Sequence, residues 1–161
     1  MIRIGIIGNI GSGKSYVAQN FGYPVFNADY EVAQLYQQDK KIFTKLKNIL
    51  PKYIQSFPVE KKEITNSILA NKNNLKKIVK IVHVEIRKKM KDFLKKHKNK
   101  KIVILDIPLL LENKINKKKD ILVFIQSKQS DITKRLKKRK NFNQELLKKF
   151  KNIQFSVKYK K

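Results

Sequence analysis

The chain has 161 residues, 39 of them Lys or Arg against 12 Asp or Glu, for a net charge of +27, and 41% of it is apolar. That is one domain's length with enough apolar residues for a core, which excludes a disordered basic tail. There is no cysteine, which excludes disulfides, thiolate metal sites and cysteine nucleophiles.

Only Arg3, Arg87, Arg135 and Arg139 among the basic residues are arginine, while lysine, isoleucine (21) and asparagine (14) are abundant together. Those three share A/T-rich codons, so the charge reads as composition. A dedicated nucleic-acid reader would favour the guanidinium fork, and nucleic-acid binding is not required. No apolar run approaches the roughly 20 residues of a membrane span. Met1-Ile2-Arg3-Ile4-Gly5 leads straight into a strand-like run without a cleavage pattern. The chain is expected to be soluble and cytoplasmic.

In chain order, residues 2–7 form a short apolar run that suits a buried parallel strand. Residues 14–21 suit the following helix, stopped near Gly22-Tyr23-Pro24. Val25-Phe26 is a brief second strand ending at Asn27-Ala28-Asp29. From Tyr30 to about Lys98 the pattern is helical and lysine-rich, punctuated at Pro51, Pro58 and residues 71–74. Leu75, Ile78, Val79, Val82, Ile86 and Met90 keep three- and four-residue spacing, an amphipathic helix with a solvated lysine face. Residues 102–105 form a third strand ending in Asp106-Ile107-Pro108, and residues 121–125 a fourth before Gln126-Ser127. Two helices follow, over 131–140 and 143–153. The expected fold class is α/β: a parallel sheet flanked by helices, with a helical insert between the second and third strands.

Gly8-Asn9-Ile10-Gly11-Ser12-Gly13-Lys14-Ser15 matches G-x-x-x-x-G-K-[ST] in full, with a strand before it and a helix after. This composition yields about 0.002 chance matches. Glycines let the backbone curl into a nest of N–H donors at a helix start, where phosphate is held. Lys14 would reach the β- and γ-phosphates and the Ser15 hydroxyl would ligate Mg²⁺. The base-selecting N-K-x-D of a GTPase is absent. Ile102-Val103-Ile104-Leu105-Asp106 lacks the paired acid of a motor ATPase. A kinase of small metabolites fits better. Asp29, after the second strand, reads either as the base that takes an acceptor's proton or as a helix cap.

These motifs together resemble the dephospho-CoA kinase family along nearly the whole chain. The loop is similar to that family's G-G-I-G-S-G-K-S, and Phe26-Asn27-Ala28-Asp29 to its D-A-D segment. His83-Val84-Glu85-Ile86-Arg87 resembles H-P-x-V-R, and Asp106-Ile107-Pro108-Leu109-Leu110-Leu111-Glu112 resembles D-x-P-L-L-F-E, the most family-specific stretch. Arg135-Leu136-Lys137-Lys138-Arg139 resembles the R-L-x-x-R lid helix, with Gln154 at a family Gln. The sequence departs at Tyr16 (usually Thr), Val84 (Pro), Lys61 (Arg) and Phe150 (Arg, with Lys149 beside it). It ends at Lys161, ahead of the family's A-D-x-V-I-x-N segment, final strand and last helix.

The resemblance implies transfer of the ATP γ-phosphoryl group to the 3′-hydroxyl of dephospho-CoA by a monomer, with Mg²⁺. It implies catalytic roles for Asp29, Lys14 and Arg139. ATP would be bound by Gly8, Gly11, Ser12, Gly13, Lys14, Ser15, Tyr16, Arg135 and Arg139. The acceptor would be bound by Asp29, His83, Arg87, Asp106, Pro108, Leu109 and Glu112. Plainer readings stand beside these: a structural His83, strand-end caps at Asp106 and Glu112, and solvated helix charge at the two arginines. The expected organisation is one P-loop kinase domain over 1–161, with core 1–29 and 100–130, insert 30–99, and lid with following helix 131–155. Alternatives are another small-metabolite P-loop kinase, for nucleosides or nucleotides, and a non-catalytic basic nucleotide- or RNA-binding protein.

Overall fold

A computed structural model describes residues 1–139 and 142–160. The chain separates into two compact units, one of residues 1–27 and 93–161 and one of residues 28–92.

The first unit is built on four parallel strands: β1 (Ile2–Gly8), β2 (Val25–Asn27), β3 (Ile102–Asp106) and β4 (Ile121–Ile125), in the order β2-β3-β1-β4. Helix α1 (Lys14–Gln19) follows β1 and packs on the sheet. Ile4, Ile6, Ala18 and Ile104 form the core cluster, closed by Phe21, Val25, Val123 and Ile125. Each fully buried aliphatic chain here contributes about 2 kcal/mol by leaving water. The near-continuous apolar β1 and β3 are what a two-sided parallel sheet demands. All four strands run the same way, so their C-terminal ends share one edge of the sheet. The connection after β1 leads toward β2 and that after β3 leads toward β4, so the chain parts between β1 and β3 and opens a crevice there.

The second unit holds α2 (Ala28–Gln38), α3 (Lys40–Ile49), α4 (Lys61–Ala70) and most of α5 (Lys72–Lys96). Leu35, Ile42, Leu46, Ile54, Ile68 and Val82 are buried. Helix α3 is capped by Asp39, whose carboxylate accepts from the amides of Lys41 and Ile42. The expected break over residues 71–74 shrinks to Asn71 alone. Asn74 lies inside α5, and its buried amide donates to the Ser67 carbonyl at 2.9 Å, which lets a poor helix former stay in the helix. Helix α2 starts at Ala28, directly off β2, so Asp29 sits in its first turn and does not precede it. A carboxylate there is favoured by the helix dipole.

Beyond β4, α6 runs Gln129–Lys137, two residues earlier than expected at its start. The expected end at Lys140 lies outside the described residues, as does Lys161. Helix α7 (Gln144–Lys151) is capped by Asn143, and a short α8 (Val157–Lys160), not expected from the sequence, packs near β1.

Arg3 on β1 and Asp120 just before β4 form a buried ion pair at 2.8 Å, with side chains 9% and 3% exposed. Asp120 also accepts from the Lys117 amide at 2.8 Å. Removing the carboxylate leaves a guanidinium buried without its counter-charge, which is worse than having neither group. Asp120→Ala is expected to cost about 3 kcal/mol in urea unfolding, and Arg3→Met/Asp120→Leu to recover most of that loss.

Candidate active site

Strand β1 ends at Gly8, where the backbone turns away with φ 149°. Gly8 faces Ile125 of β4 so closely that a Cβ would lie 2.5 Å from the Ile125 carbonyl oxygen, so no side chain fits. The chain turns over Asn9 to Ser12, whose amide donates to the Asn9 carbonyl at 3.1 Å. It enters α1 through Gly13 in the left-handed region, φ 96°, a conformation glycine adopts without a steric cost. Gly11 is also left-handed, φ 83°. Its bare Cα lets α6 lie flush, since a Cβ would meet Ile132 at 3.0 Å and Leu136 at 3.1 Å.

The Lys14 ammonium bridges the loop, donating to the carbonyls of Gly8 at 3.2 Å and Asn9 at 2.9 Å. Ser15 and Tyr16 are exposed on α1. The Ser12 hydroxyl is buried with no hydrogen-bond partner among the described residues. A cavity of about 530 Å³ opens beside the loop, bordered by Gly13, Tyr16, Val17, Gln126, Ser127 and Arg135. That is within the range of small-ligand pockets.

Across the β1–β3 crevice, Asp106 ends β3 and is 3% exposed. Its register partner is Asn27, whose side-chain amide donates to the Asp106 carboxylate at 2.7 Å. A buried carboxylate is therefore oriented at the sheet's C-terminal edge by an amide from the neighbouring strand. Pro108 and Leu109 lie in the turn that follows, with Leu109 in the left-handed region, φ 56°. Glu112 is engaged with the chain's last segment: it pairs with the Lys160 ammonium at 3.1 Å and accepts from the Phe155 amide at 2.8 Å. The space among Gly8, Lys14, Leu109, Glu112 and Lys160 is about 10 Å³, room for one water.

Arg135 lies against the loop, donating to the Gly11 and Ser12 carbonyls at 3.3 Å each. Arg139 is exposed beyond the end of α6. In the second unit, Asp29 is exposed in the first turn of α2, and His83 and Arg87 stand one turn apart on α5. The structure thus gathers Gly8, Gly11, Ser12, Gly13, Lys14 and Arg135 around one loop, and Asp106 and Glu112 on the strand ends or turns nearby. Asp29, His83 and Arg87 belong to the other unit. Sequence reasoning singled out neither Ser127, whose hydroxyl donates to the Ser12 carbonyl at 2.7 Å, nor Lys160. A lone serine in a loop and one lysine among many leave no pattern to find. The Asn27–Asp106 bond was within reach, because both residues end strands.

A parallel sheet of order 2-3-1-4 whose first strand runs through a glycine loop and a lysine into a helix defines a P-loop nucleotide-binding protein. Residues 2–161 match the model of the family described as CoaE: Dephospho-CoA kinase, and the chain belongs to that family. It is 34% identical over 163 residues to the dephospho-CoA kinase of Wolbachia sp. subsp. Brugia malayi (strain TRS), covering 98% of this chain and 83% of the relative. It is 33% identical over 159 residues to that of Rickettsia felis, covering 97% and 81%. Among solved structures it resembles TT1252 from Thermus thermophilus, with TM-score 0.78, 26% identity, and 99% and 83% of the two chains covered.

Burial, and then repulsion from Arg87, hold the His83 pKa below its usual 6.5. The unfolded chain therefore takes up this proton first as pH falls. Stability is unaffected by His83 above about pH 6.5 and is lost below it as the pH moves toward the depressed folded value. His83→Gln is expected to shallow the decline of Tm between about pH 7 and pH 5, and an unchanged slope in thermal melts would count against this assignment.

Proposed function

We propose that this chain transfers the γ-phosphoryl group of ATP to the 3′-hydroxyl of dephospho-CoA, giving coenzyme A and ADP, the last step of coenzyme A biosynthesis. The observation that carries this reading is the fully formed glycine loop, with Lys14 set across it, in a chain of the dephospho-CoA kinase family.

In this reading the loop amides from Gly11 to Ser15, with Gly8 leaving room for the turn, cradle the β- and γ-phosphates. Lys14 exchanges its two loop carbonyls for phosphate oxygens and offsets the charge that builds on the transferring group. Ser15 would hold Mg²⁺, with the buried Asp106 holding a water on the ion or the acceptor, and Mg²⁺ bound with ATP would neutralise charge across the phosphates. Tyr16, Gly13 and Arg135 border the 530 Å³ cavity, which would take the nucleoside. Arg139 would close over the phosphates.

Asp29 accepts the proton of the 3′-hydroxyl as that oxygen bonds to the γ-phosphorus and the bond to the β–γ bridging oxygen breaks. His83, Arg87, Pro108, Leu109 and Glu112 would hold the acceptor. For Glu112 that requires the pair with Lys160 to open. The enzyme would act as a monomer in the cytoplasm, and a solution mass of one 19.0 kDa chain by light scattering checks the first of these.

Asp29→Asn keeps the shape of the side chain and removes its basicity. ADP release from Mg·ATP with dephospho-CoA is expected to fall by about two to four orders of magnitude, the usual worth of a positioned base, while ATP binding by calorimetry stays within twofold. Equal turnover with adenosine, uridine or nucleoside monophosphates would replace the proposed acceptor. Unimpaired turnover by Asp29→Asn would remove Asp29 as the base.

A further inference from the structure

The phosphate loop is held from outside by two side chains of the segment after β4. Ser127 lies two residues beyond Ile125, the register partner of Gly8, and its hydroxyl donates to the Ser12 carbonyl at 2.7 Å. Arg135, two turns along α6, places one guanidinium nitrogen 3.2 Å from the Ser127 hydroxyl oxygen and 3.3 Å from the carbonyls of Gly11 and Ser12. A guanidinium only donates and a carbonyl only accepts, so the order is forced: guanidinium N–H to the Ser127 oxygen, Ser127 O–H to the Ser12 carbonyl. A donor that itself accepts from a cation is a stronger donor.

The consequence lies across the peptide plane. In a trans peptide the carbonyl and the next N–H point in opposite directions. Pulling the Ser12 carbonyl outward toward Ser127 and Arg135 turns the Gly13 N–H inward, to the concave side of the loop. The Gly11 carbonyl and Ser12 N–H are related in the same way, and that amide is already held on Asn9. We propose that Ser127 and Arg135 are positioning residues that hold the phosphate loop in the shape that receives a nucleoside triphosphate. The arginine thereby links the orientation of α6 to the orientation of the loop amides. This rests on the kinase reading for its ligand, though the brace itself consists of contacts within the protein.

The test compares Ser127→Ala, Ser127→Thr, Arg135→Ala, Arg135→Lys and Ser127→Ala/Arg135→Ala. Amide exchange at Ser12 is followed by NMR without nucleotide, and Mg·ATP binding is measured by calorimetry. Each alanine variant is expected to speed Ser12 exchange about fivefold and weaken ATP about fivefold, as one hydrogen bond's worth, with β1 and β3 amides unchanged. The double variant should fall short of the sum of the two single effects, because Arg135 acts partly through Ser127. Ser127→Thr, which keeps the hydroxyl, should restore both values.

Unchanged Ser12 exchange in both alanine variants would overturn the proposal. So would a Ser127→Ala protein that binds ATP like wild type while Arg135→Ala does not, since Arg135 would then act on the nucleotide directly. If an alanine variant loosens β1 and β3 as well, Ser127→Thr and Arg135→Lys decide. A wild-type protein that binds no ATP would remove the kinase reading, and the exchange comparison would still judge the brace.

Discussion

Gly8 and Ile125 approach so closely that one added carbon would collide with a backbone oxygen. That contact is the last rung of the β1–β4 ladder, and the phosphate loop begins at it. Because β1 is paired with β3 as far as Gly5 and with β4 as far as Gly8, the loop's takeoff point is set by the sheet and not by the loop's own flexibility. The residues that follow β4 then fall beside the loop by geometry alone. The Ser127 contact and the flush packing of α6 against Gly11 both inherit their positions from the register of β4.

Electrostatics works at the same edge in a different way. A chain of charge +27 attracts phosphate everywhere on its surface, so attraction does not distinguish this site. What distinguishes it is direction. Lys14 is held on two carbonyls, Asp106 is held by an amide, and Glu112 is covered by Lys160. The two carboxylates sit on the side of a loop whose ligand is anionic: the Lys160 ammonium offsets the charge of Glu112, and the Asn27 amide solvates Asp106. A buried acid without such partners would pay a desolvation cost and repel the phosphates as well.

Much of this architecture was legible in the sequence. The four strands could be placed because each is a short apolar run closed by glycine, asparagine, aspartate or glutamine, and the loop because its spacing is improbable by chance. The start of α2 was misjudged because nothing in Asn27-Ala28-Asp29 forces a gap between strand and helix, and only strand pairing shows where β2 ends. Asn74 reads as a break in a linear string and becomes a helix residue once the Ser67 carbonyl is there to receive it. Ser127, Lys160 and Asn27 act across 48 residues or more of sequence, through hydrogen bonds or ion pairs. No local pattern carries such information; their partners are set by strand register and helix packing.

The sheet order also has a consequence for how the protein is made. Strand β1 pairs with β3 through registers such as Ile4 with Ile104, and with β4 through Gly8 with Ile125, and not with β2, the strand that follows it in sequence. The glycine loop is synthesised well before its support, because the strand behind it, β4, follows more than a hundred residues later. At roughly 5–20 residues per second that delay is on the order of ten seconds, during which β1 is an apolar segment without a partner. A nascent chain of this protein therefore gains its nucleotide site late and all at once, and it depends until then on whatever shields β1 from other chains.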